Sequence, residues 1–295
     1  MHNSPSALQS VKEWLFWGKQ FLLKGKIRSA EKIALWFMEK VMGMEGAELY
    51  THFSCSLSSS QAREYRELIE RKRRGEPWQY IQEEVPFLSC RIHVNGDLLI
   101  PRMETEALVA RMLTHSPSLE KEGLVVWDLC CGSGCIAIAI KRAFPNLRVY
   151  ASDFSSRALA MARKNMVYNG VEIALRWGDF LVPLREEKIA VDFLICNPPY
   201  ISEEEYPHLE REVRLYEPKL ALVAGNNGLY FYRLLAQELF PLLSPEAQVH
   251  LEMGDKQADK LLSLFSSSRW KEQKIGRDEA GRERYFSFVK NSKQK

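Results

Sequence analysis

Asn197-Pro198-Pro199-Tyr200 gathers into four residues the groups that suit a planar substrate carrying an NH2. The two prolines fix φ and offer no N–H, so neither a helix nor a sheet ladder continues through them. A following proline also keeps Asn197 out of the helical region. The Asn197 side-chain oxygen and the Pro198 carbonyl can each accept one N–H. An amide or exocyclic amine is a poor nucleophile because its lone pair is delocalised into the neighbouring π system. Accepting both hydrogens out of plane favours a pyramidal nitrogen whose lone pair is free for an electrophile. Tyr200 adds a ring that can stack on the planar group, and its face attracts a cation such as a sulfonium methyl. Standing alone, the tetrapeptide reads first as a proline-rich turn after a core strand.

A second set of residues suits a nucleoside. The apolar run Leu124–Leu129 carries Asp128 and leads into Cys130-Cys131-Gly132-Ser133-Gly134, ahead of a helix expected over Cys135–Phe144. A strand, a tight glycine turn and a helix N-terminus let a ligand approach backbone N–H groups. The next strand, Leu147–Ser152, delivers Asp153, 25 residues after Asp128, to accept both hydroxyls of a ribose. A third strand, Ile173–Trp177, ends at Gly178-Asp179-Phe180, where Asp179 suits an adenine amino group and Phe180 its ring. Gly-x-Gly is weak by itself, and Ala137 leaves the longer glycine pattern of dinucleotide enzymes incomplete. Joined to Asn197–Tyr200 at the end of the apolar run Val191–Cys196, the set points to methyl transfer from S-adenosylmethionine onto an amino or amide nitrogen.

The elements that must position these residues alternate strand and helix from Leu124 onward, with a helix over Ser155–Tyr168. Further on, a helix is expected over Gly228–Leu243, a strand over Ala247–Met253, a helix over Ala258–Phe265, and strands over Trp270–Ile275 and Tyr285–Lys290. This is an α/β, Rossmann-like sheet of about seven strands, expected over residues 103–295, with a helix starting near Met103. Residues 1–80 are expected to form a small helical substrate-docking domain. There Leu8, Val11, Leu15 and Leu22 mark one helix face, Ser29 and Gly43 bracket a second helix, and Ser58 with Gln61 has capping-box spacing ahead of a third. That third helix ends in Arg71-Lys72-Arg73-Arg74, which suits a helix C-terminus as well as a binding patch. Residues 81–102 read as a β-hairpin linker with Asn95-Gly96 at its tip.

Composition narrows the function classes. Of 295 residues, 46% are hydrophobic and 27% charged, as in ordinary globular proteins. A net charge of +3 gives no electrostatic reason to expect a stable nucleic-acid partner. No run approaches the roughly 18 apolar residues of a membrane span, and the N-terminus lacks a signal-peptide pattern, so a cytoplasmic monomer is expected. Cysteines at 55, 90, 130, 131, 135 and 196 show no paired C-x-x-C spacing, so no metal site is expected. Cys130, Cys131 and Cys135 flank a helix N-terminus, where thiol pKa values tend to fall.

Across most of its length the chain resembles the peptide chain release factor glutamine methyltransferases, the HemK-like enzymes. The resemblance rests on Gly75-Glu76-Pro77, Ile100–Glu106, Asp128–Gly134, Asn197–Tyr200, Glu212-Val213-Arg214 with Glu217-Pro218, Leu222–Gly225 and Ala280–Arg284. It implies N5-methylation of the glutamine in the Gly-Gly-Gln tripeptide of class 1 release factors, with the helical domain docking the substrate. Carried over by position, Cys130 to Gly134, Asp153, Phe180 and Asn197 would contact the cofactor, and Asn197, Pro198, Pro199 and Tyr200 the glutamine. Arg102, Glu104 and Glu106 are expected at the pocket mouth or in a helix-starting ion pair. The chain departs from the family where Cys130 replaces a glycine, where Cys131 stands at a position at which a small residue such as threonine is common, and where Met103 replaces a frequent proline. Ribosomal-protein glutamine methylation, adenine-N6 methylation and a non-enzymatic cofactor-binding role remain as alternatives.

Overall fold

A computed structural model describes residues 8–225 and 227–293, and the chain divides into two compact units. The first spans residues up to Glu83 and takes in Arg211–Tyr216 from a later stretch. Its helices are α1 (Val11–Lys24), α2 (Ala30–Met42), α3 (Ala47–Thr51), α4 (Ser59–Arg73), α5 (Trp78–Gln82) and, from the later stretch, α10 (Arg211–Tyr216). Capping boxes start α1, at Ser10 and Glu13, and α4, at Ser58 and Gln61, each satisfying backbone N–H groups that a helix start leaves unpaired. Gly43 ends α2 in the left-handed conformation. Ser29 stands at the α2 N-terminus without capping it, because its φ of 54° turns the hydroxyl away from the helix amides.

Val11, Trp14, Ile33, Phe37, Tyr65 and Ile69 form the centre of this unit. Gly18 lets α1 approach α4 closely, since a Cβ there would lie 2.4 Å from the Tyr65 hydroxyl. The basic run at the end of α4 is largely consumed within the unit. Arg71 pairs with Glu76 at 2.6 Å, Lys72 is buried against Glu212 of α10 at 2.7 Å, and Arg73 lies over the Phe21 ring. Charges removed from water in this way need their partners. Among residues 71–74, that leaves Arg74 least engaged, so the run is chiefly a helix end rather than a patch.

The second unit holds a hairpin, β1 (Glu84–Phe87) and β2 (Cys90–His93), and α6 (Met103–His115), followed by the main sheet. Chain order runs β3 (Val125–Leu129), α7 (Cys135–Ala143), β4 (Arg148–Asp153), α8 (Ser156–Asn169), β5 (Ala174–Trp177), α9 (Val182–Glu187) and β6 (Val191–Cys196). It continues through α11 (Tyr230–Glu238), β7 (Leu243–Glu252), α12 (Ala258–Leu264), β8 (Trp270–Arg277) and β9 (Glu283–Lys290). The seven strands lie in the order β5-β4-β3-β6-β7-β9-β8. β3 to β7 pair in parallel and β9 runs antiparallel between β7 and β8. β3 is buried at every position because helices cover both faces of a parallel sheet.

The strand order reverses between β3 and β6. In open α/β sheets that reversal opens a crevice at the carboxyl ends of the strands. Leu129 faces Cys196 in the register, so the loop starting at Cys130 and the corner starting at Asn197 leave the sheet side by side.

The hairpin lies one strand earlier than the Asn95-Gly96 turn suggests. Its tip is Leu88-Ser89, Leu88 takes a φ of 50°, and Phe87 pairs with Cys90. Val85 and Phe87 are buried while Pro86 is exposed, the alternation a half-buried strand requires. Asn95 instead makes a local turn, its side-chain oxygen accepting the Asp97 N–H at 3.0 Å. α11 is shorter than expected because Pro241 lies in a 3₁₀ turn, Phe240–Leu242, that separates it from β7.

Candidate active site

The glycine loop is shaped by backbone. Cys130, Gly132 and Gly134 take φ values of 62°, 51° and 78°, and the Cys131 N–H donates to the Ser152 carbonyl at 3.0 Å. This ties the loop to the end of β4. Asp153 completes the tie: its Oδ2 accepts the Gly132 N–H and its Oδ1 the Ser155 N–H, each at 2.8 Å. Each oxygen keeps a second lone pair for a ligand hydroxyl. Burial raises the Asp153 pKa, and the backbone donors act against that shift.

A cavity of about 320 Å³ lies against this loop, wholly within the second unit. A Cβ placed on Gly132, which lines the cavity, would meet no protein atom within 4 Å, so the backbone here leaves open space for a ligand. Asp153, Asp179 and Phe180 line the same cavity, and Phe180 packs on Phe231 with ring centres 4.8 Å apart. A carboxylate with spare acceptors, a glycine cradle and an aromatic wall fit the ribose and adenine of S-adenosylmethionine.

Cys130 occupies a left-handed position that glycine tolerates best, which explains the glycine usual there in the resembled family. The thiols deeper in do not show the lowering expected of a helix N-terminus. Burial pushes Cys131 and Cys196 well up and Cys135 up to about 12, because the loss of water outweighs the helix end. Asp128 is buried with its Oδ2 on the Ala137 N–H, and burial raises it to about 8.

The second wall is the Asn197 corner. Asn197 and Pro199 line the cavity, while Pro198 is buried and lines neither this cavity nor the next. Tyr200 lines an adjoining hollow of about 560 Å³ with Glu204, His208 and Arg284. The backbone beyond is clamped. Ile201 donates to the Leu222 carbonyl and accepts from the Ala224 N–H, both at 2.9 Å, and the Tyr200 carbonyl accepts from Gln257 Nε2 at 3.0 Å.

Behind the corner lies a set of groups to which sequence reasoning assigned no role. Asn197 Nδ2 donates to Thr105 Oγ1 at 3.2 Å, and Thr105 donates to Glu252 Oε2 at 2.5 Å. The Tyr200 hydroxyl donates to Glu252 Oε1 at 3.2 Å. A carboxylate ending an apolar strand was the available signal for Glu252, as for Asp153. Of the three charged residues around the start of α6, Arg102 lines the cavity and pairs with Glu217 at 2.5 Å. Glu106 accepts the Leu88 N–H at 2.7 Å and so secures the hairpin tip. Glu104 is half-buried and raises the pKa of Glu252. Asn165 on α8 is another unforeseen brace, bonding to both the N–H and carbonyl of His93 and to the Ser133 carbonyl.

A Methyltransferase small domain model matches residues 104–212, and a PrmC N-terminal domain model matches residues 13–82. The chain is similar to a release factor glutamine methyltransferase of Geobacter sulfurreducens, 32% identical over 257 residues that cover 87% of this chain and 88% of that one. It is also similar to one from Enterococcus faecalis, 35% identical over 273 residues, covering 92% and 96%. A methyltransferase structure from Pyrococcus furiosus, at 18% identity and a TM-score of 0.50, covers 69% of this chain and 90% of that one and shares the fold. With relatives that share about a third of its residues along nearly its whole length, the chain belongs to the release factor glutamine methyltransferase family, enzymes whose methyl donor is S-adenosylmethionine.

Proposed function

We propose that this enzyme methylates the side-chain amide nitrogen of the glutamine in the Gly-Gly-Gln motif of class 1 peptide chain release factors, tuning translation termination. The observation that carries the reading is Asn197, on the cavity wall beside the glycine loop with its NH2 end occupied by Thr105. Its oxygen is the end left to accept an N–H from a substrate amide. When bound, S-adenosylmethionine supplies an electrophilic methyl on a sulfonium. Cys130 to Gly134, Asp153, Asp179 and Phe180 hold that donor. Within the corner Asn197 to Tyr200, Asn197 and Pro199 meet the glutamine from the cavity wall, while buried Pro198 stiffens the turn and Tyr200 braces it from the neighbouring hollow.

Catalysis comes from positioning and from acceptors matched to a pyramidal nitrogen, with the amide proton passing to water. The helical unit, which includes the matched residues 13–82, acts as the docking module for the release factor. The test is transfer of a labelled methyl to a release factor, to the same factor with that glutamine replaced by glutamate, to ribosomal protein and to DNA. Label on the first alone is expected; label on the glutamate form, or a preference for either other acceptor, overturns the reading. Asn197→Ala is expected to lower turnover about 100-fold or more while cofactor affinity stays close to parental.

A further inference from the structure

We propose that Thr105 and Glu252 form a positioning relay that decides which end of the Asn197 side chain faces the substrate. This rests on the reading above, in which the Asn197 oxygen accepts the substrate N–H. A carboxamide is nearly symmetric in shape but opposite in polarity at its two ends. Packing alone would hold it as well reversed, with NH2 turned toward a substrate NH2 and no hydrogen bond between them.

The relay removes that ambiguity. Thr105 Oγ1 is 2.5 Å from Glu252 Oε2 and 3.2 Å from Asn197 Nδ2. An ionised carboxylate has no proton to give, so the hydroxyl spends its only proton on Glu252. Toward Asn197 the hydroxyl oxygen can then only accept, and the NH2 end alone can meet it. The other Glu252 oxygen accepts a hydrogen bond from the Tyr200 hydroxyl at 3.2 Å, so one carboxylate also orients the ring of the same corner. Tyr232 steadies it from α11 by donating to the Glu252 carbonyl at 2.7 Å. Thr105 is 3% exposed and Glu252 1%, which leaves water little access to these bonds.

The relay also carries a pH sense. Glu252 faces Glu104 and Thr105 of α6, Tyr200 of the corner, Tyr232 of α11, Arg284 and Tyr285 of β9, and Cys135 at the start of α7. Burial, aided by Glu104 and opposed by the two hydroxyl donors and Arg284, raises its pKa to about 7. Below that value Glu252 donates its own proton to Thr105. The freed hydroxyl proton then turns to Asn197, whose oxygen becomes the favoured partner, and the amide reverses. Turnover therefore rises with pH as Glu252 ionises and levels off above.

The experiment measures kcat and KM on a release factor at roughly pH 6 to 9, with cofactor affinity by calorimetry, for the parent, T105V, T105S, E252Q and N197A. T105V and E252Q are expected to lose about tenfold or more in kcat with cofactor Kd within about threefold of parental. T105S, which restores the hydroxyl, is expected to recover most of the loss. E252Q is expected to lose the acid limb near neutral pH. Any contribution from Asp128, which burial also raises, is common to every variant and cancels in the comparison.

The relay is overturned if T105V stays within about threefold of parental turnover, if T105S is no better than T105V, or if folded E252Q keeps the parental pH profile. Should E252Q fail to fold, the T105V and T105S pair decides. If N197A itself keeps full turnover, the underlying reading fails instead; if N197A falls while the relay variants do not, the relay alone fails.

Discussion

On its glycine-loop side the cavity presents backbone shaped by the φ values of Cys130, Gly132 and Gly134, together with the carboxylates of Asp153 and Asp179. On the Asn197 side it faces a corner that is held from behind by side chains of α6 and β7, 92 and 52 residues away along the chain. The first wall is local: a few consecutive residues make it once β3 and β4 are paired. The second exists only after distant segments have packed. The two walls should therefore fail differently, the first by losing cofactor affinity and the second by losing turnover.

The sharpest way to break this contrast is Gly228→Ala. Gly228 has a φ of +69°, and an added Cβ would lie 2.2 Å from the Tyr200 carbonyl oxygen. Because Gln257 already holds that oxygen, the corner cannot yield without breaking its clamp. We expect turnover to fall about 100-fold and stability by about 2–4 kcal/mol, read by methyl transfer and thermal unfolding. Parental turnover would show that the corner is not rigid.

A smaller effect is expected on the other wall. Asp153→Asn removes the charge that would receive two ribose hydroxyls, so cofactor Kd should rise about 10- to 100-fold while kcat at saturation changes little. Calorimetry with initial-rate kinetics measures both, and an unchanged Kd would remove Asp153 from the cofactor wall. The smallest change is Cys130→Gly. Relief of a left-handed residue should alter stability by only about 1 kcal/mol, in the stabilising direction, with cofactor affinity equal or better. A tenfold loss of affinity would instead assign the thiol a role in binding.

Legibility in the sequence follows the same division. The strand–glycine–helix succession, Asp153, Phe180 and the proline corner are short-range patterns, each set by backbone rules acting within a few residues, and the resemblance to a known family joined them. The short helices α3, α5, α9 and α10 were not legible, since five or six residues give too little period to read. Nor was the hairpin register, because Asn95-Gly96 carries stronger turn chemistry than Leu88-Ser89, and only the long-range bonds of the hairpin to Glu106 of α6 and Asn165 of α8 decide between them. Lys72 read as one of four basic residues ending a helix. Its burial against Glu212, 140 residues later, could not be inferred from spacing.

The amino-acid order by itself determined the alternation of strands and helices, the glycine turn and the stiff Asn197–Tyr200 segment, because dihedral restriction and hydrophobic period act locally. It did not determine that Leu129 and Cys196 share a register, that Cys130 and Asn197 thereby open onto one cavity, or that Glu252 lies behind both Asn197 and Tyr200. Those are consequences of strand order and long-range packing. A buried carboxylate gains its partners only when water has been excluded and the donors of α6 and the corner have been brought to it.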